Sequence, residues 1–250
     1  MDDDLSKIAQ RLLEISKEQY EKSDGTAHLV DDEDINNLLN NLEEYPHAFV
    51  LGCVMDRRIQ AERAWAIPYK VCKALKGKFD IDTLAAQTED YYKKLFEHEG
   101  YHIIGETAPK AFYRAVQKIK NDYEGDASRI WADNPSSSLV VYRFLEFYGV
   151  GPKIATMAAN ILVRDFKIPM KDHYSIDISP DTHVKRVMKR LGFISKVDAD
   201  LVIYKAREIN PEFPGMFDLA CFEIGRRFCH SRKSPNCDDC CMNDLCKKCI

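Results

Sequence analysis

The end of the chain constrains the fold most: six of the nine cysteines in these 250 residues lie between Cys229 and Cys249. Cys229, Cys237, Cys240 and Cys246 form a C-x7-C-x2-C-x5-C run. Four thiolates on a short, loop-rich segment suffice to hold an iron–sulfur cluster. The segment is too polar and too short to pack a core of its own, so a metal centre is expected to supply its order. A second pairing stays open, with Cys237-x2-Cys240 and Cys246-x2-Cys249 as a four-thiolate zinc site across a short central gap. The odd cysteine total fits disulfides poorly, and the acidic start MDDDLSKIAQ carries no apolar export segment. Both point to a reducing compartment, where clustered cysteines bind metal. No apolar run approaches the ~20 residues that span a bilayer, so no membrane partner is expected.

Upstream of the cysteines the apolar spacing is helical almost throughout. Leu5, Ile8, Leu12, Leu13 and Ile15 share one face of a first helix over 5–21. Further helices are expected over 47–56, 61–76, 89–96, 109–121, 138–147, 153–165, 181–191, 197–208 and 216–228. Turn signals at Gly77, Gly100, Gly125, Pro135 and Pro211–Gly215 separate them, and no strand pattern competes. The class is all-α. The acidic run Asp31–Asp34 reads as a linker or an exposed helix start. The net charge is −4, but it is unevenly spread: residues 1–50 carry 4 basic against 13 acidic side chains, and residues 139–233 carry 16 against 11. A polyanion is expected to dock on the second of these stretches.

Two central motifs carry chemistry. Phe147-Tyr148-Gly149-Val150-Gly151-Pro152-Lys153 lies between two helical stretches. Its glycines permit a tight turn, Pro152 suits the first turn of a helix, and the exposed N–H groups of such a turn can hold a phosphate. Taken alone it also reads as an ordinary helix–helix turn. The second motif is Ser179-Pro180-Asp181-Thr182-His183-Val184-Lys185-Arg186-Val187. Asp181 reads first as a helix N-cap. It equally reads as a carboxylate placed to stabilise positive charge on a sugar or to activate a nucleophile, and the two roles are compatible.

A Gly-Val-Gly-x-Lys hairpin, then Asp-Thr-His-Val-x-Arg-Val, then four spaced cysteines resembles the helix-hairpin-helix DNA glycosylases, above all their iron–sulfur, endonuclease III-like branch. The resemblance covers about residues 40–250. It implies a two-domain, all-α fold with a helical barrel over 40–160 that ends in the hairpin. The second domain would comprise 1–39 and 161–250 and carry the cysteine loop 229–246. A flipped nucleotide would enter a pocket between the domains. The implied activity is base excision: cleavage of the N-glycosidic bond of a damaged base, an oxidised pyrimidine by family default, with an abasic-site lyase step. Asp181 is the implied catalytic carboxylate, with Asp177 as a nearby rival outside the motif. Lys153 stands where bifunctional members carry the lysine that attacks the sugar C1′ and forms a Schiff base. Two rivals remain: a monofunctional glycosylase of the same fold acting on uracil, a mismatch or an alkylated base, and a non-catalytic DNA-binding iron–sulfur protein.

The same resemblance assigns Cys229, Cys237, Cys240 and Cys246 to a [4Fe-4S] cluster, with one residue more than usual in the first gap and with Cys241 and Cys249 surplus. It places Gly149, Val150 and Gly151 on the DNA backbone, with a monovalent cation at the hairpin. Arg226, Arg227, Arg232 and Lys233 would position the backbone near the cysteine loop. The segment Cys53–Ile59 is similar to the family segment whose glutamines fill the gap left by the flipped base. Arg57 and Arg58 replace those glutamines, and Gln60 follows. An arginine can stack in a duplex and pair with an orphaned base. Cys53 stands where the adenine-excising branch has its catalytic Glu, which argues against adenine excision. Tyr45, Trp65 and Tyr142 are candidates to stack on a base, though at helical spacing each reads first as core. The extra loop Lys167–Ser179, with Pro169, His173 and Tyr174, reads as a pocket element or a surface insertion. The expected partner is double-stranded DNA with a damaged or mismatched base, bound by a monomer in the cytoplasm, at the nucleoid of a prokaryote.

Overall fold

The computed structural model describes residues 3–101, 105, 107–231 and 235–248. Arg232, Lys233 and Cys249, all singled out in the sequence, lie outside the described residues. Every regular element among the described residues is helical and no strand forms, as the periodicity predicts. In chain order the helices are α1 (Asp3–Lys22), α2 (Glu33–Asn40), α3 (Pro46–Met55), α4 (Ala61–Trp65), α5 (Ile67–Ala74), α6 (Ile81–Ala85) and α7 (Glu89–Glu99). They continue with α8 (Thr107–Asp122), α9 (Ser137–Leu145), α10 (Pro152–Arg164), α11 (Thr182–Arg190), α12 (Ala199–Ile209) and α13 (Asp218–Arg227). None of them is long and apolar enough to cross a membrane.

Local chemistry sets the ends of these helices. Asp32, Asp80, Thr88, Asp181 and Asp198 each cap a helix by accepting an N–H from the first turn. The acidic run 31–34 is therefore a helix start, with Asp32 bonded to the Ile35 N–H at 3.2 Å. The single helix expected over 61–76 is broken into α4 and α5. Pro68 lacks an N–H, and its ring would meet the Ala64 carbonyl in a continuous helix. The short helices α2 and α6 carry too few turns for their periodicity to stand out in the sequence.

The chain divides into two compact units. One comprises the described residues up to Asp24, Ser136–Ser138, and those from Ala159 onward; the other comprises Gly25–Pro135 and Leu139–Ala158. In the second unit α3 is buried along its whole length and packs on α2, α4, α5 and α8. Trp65 stacks on Phe49 with ring centroids 5.9 Å apart. A Cβ at Gly52 would stand 2.6 Å from the Trp65 ring, so only glycine admits that stack. In the first unit Ile8, Ala9 and Leu12 of α1 join a core built by α11, α12 and α13. α11 and α13 approach so closely that a Cβ at Gly225 would lie 2.6 Å from the His183 Cβ. Met242, from the cysteine-rich tail, is fully buried in this core. The tail packs no core of its own but lends one side chain to a neighbour's, and burying a side chain of that size stabilises by roughly 1.5–3 kcal/mol.

Candidate active site and cysteine centre

The hairpin lies in the second unit. The Val150 N–H donates to the Phe147 carbonyl at 3.0 Å and closes the turn, with Gly149 at φ +87°. Only glycine adopts that backbone region without strain. Pro152 opens α10, and the Ile154 and Ala155 N–H groups both donate to the Gly151 carbonyl at 3.0 Å. The N–H groups of Gly151 and Lys153 find no backbone acceptor among the described residues. Free amides at the start of a thirteen-residue helix form an anion-binding end.

The Cys53–Gln60 segment meets this hairpin at two successive residues. Lys153 Nζ lies 3.3 Å from Asp56 Oδ2, the carboxylate being 9% exposed and the lysine side chain 44%. Beside it the Arg57 guanidinium fills the space that a Cβ at Gly149 would need. Arg58 is exposed and holds a left-handed backbone at φ +53°. Gln60 is exposed and begins α4 without capping it through its side chain. Cys53 is fully buried, and that burial pushes its thiol pKa well up, which makes it inert.

Of the aromatic candidates, Trp65 is core at 3% exposure. Tyr142 is not: it is 58% exposed, because the buried face of α9 is occupied by Val140 and Phe144 instead. Tyr45 is half-buried in an edge-on cluster with His47 and Phe79.

Asp181 belongs to the first unit. Its extended backbone precedes α11, and its Oδ1 accepts the Val184 N–H at 2.7 Å. The approach to it is fixed by Ser179, whose N–H donates to Asp218 Oδ1 at 2.8 Å. Asp177 is already committed, with both carboxylate oxygens 2.8 Å from the Arg207 guanidinium. Within the extra loop, the Ser137 hydroxyl donates to Asp172 and accepts the Ser175 N–H at 3.1 Å. His173 packs on Phe213 at 4.7 Å between ring centroids, and burial lowers its pKa. Tyr174 stands exposed.

Cys229, Cys237, Cys240 and Cys246 together line one cavity of about 90 Å³, walled by Val187, Leu191 and Ile224. Short turns shape the loop around it: the Cys240 N–H donates to the Cys237 carbonyl at 3.0 Å and the Cys246 N–H to the Met242 carbonyl at 2.8 Å. The Cys246 thiol pKa is raised, first by burial and further by the other three cysteines of the set. Among the described residues no three His, Cys, Asp or Glu side chains are gathered closely enough to hold an ion. Cys241 is exposed and hydrogen-bonds Cys240; that bond is the main reason its thiol pKa falls to about 7 while that of Cys240 rises.

Sequence reasoning passed over three residues in these sites. Asp56 carried no signal beyond its position at the end of a helix. Arg186 donates to the Cys229 and Gly225 carbonyls and contacts His183 Nδ1 at 3.0 Å. Arg190, one turn later, donates to Cys229 Sγ and to the His230 carbonyl, each at 3.1 Å. Their i, i+4 spacing on a helix that starts at Asp181 was the available clue.

No family model matches the chain. Endonuclease III of Treponema pallidum is 33% identical over 105 residues, 40% of this chain and 43% of that protein. Endonuclease III of Sulfolobus acidocaldarius is 33% identical over 102 residues, 40% of each chain. The matched stretch therefore spans about two fifths of the length of these relatives. Among solved structures, a thermostable thymine-DNA glycosylase superposes with a TM-score of 0.62 at 16% identity, over 98% of this chain and 96% of that one. A trapped endonuclease III–DNA covalent intermediate gives 0.57 at 18% identity, over 86% and 95%. The Clostridium acetobutylicum 8-oxoguanine glycosylase/lyase, in complex with double-stranded DNA, gives 0.55 at 18% identity, over 85% and 69%. At these identities the likeness is one of fold.

Proposed function

We propose, from the premise that the chain belongs by fold to the helix-hairpin-helix DNA glycosylase superfamily, that it is a base-excision DNA glycosylase with an abasic-site lyase step. The observation that carries the reading is the hairpin: free amides at the start of α10, with Lys153 in its first turn and Arg57 packed on Gly149. A DNA phosphate is the anion such an end takes, and the arginine adds charge to it. Arg57 then serves the backbone, while the exposed, left-handed Arg58 and neighbouring Gln60 are the side chains assigned to the duplex. A monovalent cation at the Gly149–Gly151 turn belongs to the same reading.

In the chemistry, Asp181 supplies negative charge as the glycosidic bond breaks and the sugar turns oxocarbenium-like. A carboxylate fixed by its own helix does this without reorganising. The Lys153 ammonium first gives up a proton to solvent; the free amine then forms a bond to C1′ while the electron pair of the C1′–base bond leaves with the base, which takes a proton from water. Opening of the C1′–O4′ bond then gives the Schiff base from which the strand is cut. The substrate class is a damaged base in duplex DNA, an oxidised pyrimidine first, bound by one copy of the chain. The barrel domain, expected over 40–160, is taken to include 25–39 as well, because α2 packs on α3 within one compact unit; the rest, 1–24 with 161–250, forms the second domain.

Cys229, Cys237, Cys240 and Cys246 are proposed to hold a [4Fe-4S] cluster; the donor set and the shared cavity fit four thiolates. A bound cluster would order the loop that follows α13, the helix whose last turn carries Arg226 and Arg227, the residues assigned to the DNA backbone.

The test is a panel of duplexes, each with one altered base or mismatch, read with and without alkali. Cleavage without alkali supports the glycosylase–lyase reading. Cleavage only after alkali reduces Lys153 to a backbone contact. Binding with no cleavage on any duplex overturns the enzymatic reading.

A further inference from the structure

The mechanism leaves Asp56 unused. It sits at the C-terminal end of α3, where its own N–H donates to the Cys53 carbonyl at 3.1 Å, so its backbone is fixed by the helix. The side chain is 9% exposed, and Lys153 is its ion-pair partner among the described residues. A carboxylate that is largely buried needs a charged or hydrogen-bonding partner, so it holds on to the amine it has. Lys153 is anchored differently, through the first turn of α10, and its side chain is a flexible four-carbon stem that would otherwise sample many rotamers. The two residues stand 97 positions apart in sequence and meet only because α3 ends against the hairpin. The adjacent packing of Arg57 on Gly149 secures the same junction.

We propose that Asp56 is the positioning residue for Lys153, holding its Nζ at one place and direction beside the hairpin so that the amine is already oriented when an abasic sugar arrives. The inference rests on Lys153 being the Schiff-base lysine. Orienting a reacting group in advance is worth orders of magnitude in rate, and a misplacement of about 1 Å can cost about 10²-fold. Asn at position 56 keeps an oxygen that accepts from the ammonium, whereas Ala removes the anchor.

The experiment uses the full chain and a duplex with a single abasic site, which needs no knowledge of the damaged base. The imine is trapped with borohydride under single turnover at saturating protein, and binding to the same duplex is measured separately. Asp56→Ala is expected to slow trapping by about ten- to a hundredfold with duplex affinity unchanged. Asp56→Asn is expected to recover most of the rate, an outcome a merely structural carboxylate would not give. Trapping by Asp56→Ala at the unsubstituted rate overturns the role of Asp56 alone. Failure of the unsubstituted protein to trap overturns the lyase reading, and Asp56 with it. If Asp56→Ala does not fold, the comparison of Asp56→Asn and Asp56→Glu decides: equal loss of rate and affinity in both overturns positioning, and loss of rate alone in Asp56→Glu, whose carboxylate is displaced by one methylene, supports it.

Discussion

The Arg57 guanidinium rests on the Cα of Gly149, in the space a side chain there would occupy. Two separate demands therefore fall on one glycine: a left-handed backbone at φ +87° and an empty face for the arginine. Gly149→Ala should destabilise by about 1–2 kcal/mol from the backbone alone and displace Arg57 as well. Arg57→Ala should leave the melting temperature almost unchanged but reduce the salt dependence of duplex binding by about one phosphate's worth, a slope of ~0.9 in log K against log salt. Thermal melting reads the stability effects, and fluorescence anisotropy across a salt series reads the slope. An unchanged slope for Arg57→Ala would remove Arg57 from the backbone contact.

Asp181 offers a clean separation of fold from chemistry. Its Oδ1 caps α11 and its other oxygen has no partner among the described residues. Asn caps as well as Asp, so Asp181→Asn should keep the melting temperature, while Asp181→Ala should cost about 1 kcal/mol. Base release in single turnover should fall by about 10²- to 10³-fold in both, as expected for loss of a group aimed at developing charge. Normal base release by Asp181→Asn would reduce the residue to a cap.

The cysteine set makes a compositional prediction. Metal analysis of protein prepared without air should find iron, not zinc. Cys229→Ser, Cys237→Ser, Cys240→Ser and Cys246→Ser should each lose metal and visible colour, whereas Cys241→Ser should keep both. Loss of iron in Cys241→Ser would mean that the ligand set is misassigned.

His47 predicts a pH effect on stability. It is 3% exposed, with Nε2 2.6 Å from the Phe79 carbonyl, and burial lowers its pKa below 6.5 despite that hydrogen bond. The unfolded chain binds the proton more readily than the folded one. The stability contribution is therefore complete above 6.5 and is lost as pH falls below it toward the folded value. His173, also lowered by burial, acts with the same sign. Melting temperature should drop between pH 7 and 5, and His47→Gln, which retains an N–H for the Phe79 carbonyl, should flatten that drop. An identical drop in the variant would assign it elsewhere.

The helical class was legible because the long helices bury one face at a regular spacing, as α8 does with Ala108, Phe112, Ala115 and Ile119. The break at Ala66 was written in Pro68 but masked by a continuous apolar pattern across it. The cap at Asp181 was legible because a capping residue type stands directly before an amphipathic run. Asp56 was not, since its meaning comes from a lysine 97 residues away and no local pattern encodes such a meeting. Tyr142 misled because helical spacing marks a face as apolar without saying whether anything covers it.

The tight approach of α11 and α13 at Gly225 and His183 has a consequence for where this chain can vary in length. Two helices with room only for a hydrogen between them cannot slide, so the span from the start of α11 to Cys229, two residues past the end of α13, behaves as a ruler. Arg186 and Arg190 pin its far end through Cys229. Cys237, Cys240 and Cys246 keep their own spacing through the short turns between them. The interval between Cys229 and Cys237, in which this chain carries one residue more than the endonuclease III pattern, lies beyond that ruler. Insertions there leave the ruler's length intact, while a single insertion within α13 would turn Cys229 by about 100° around the helix axis and away from its partners.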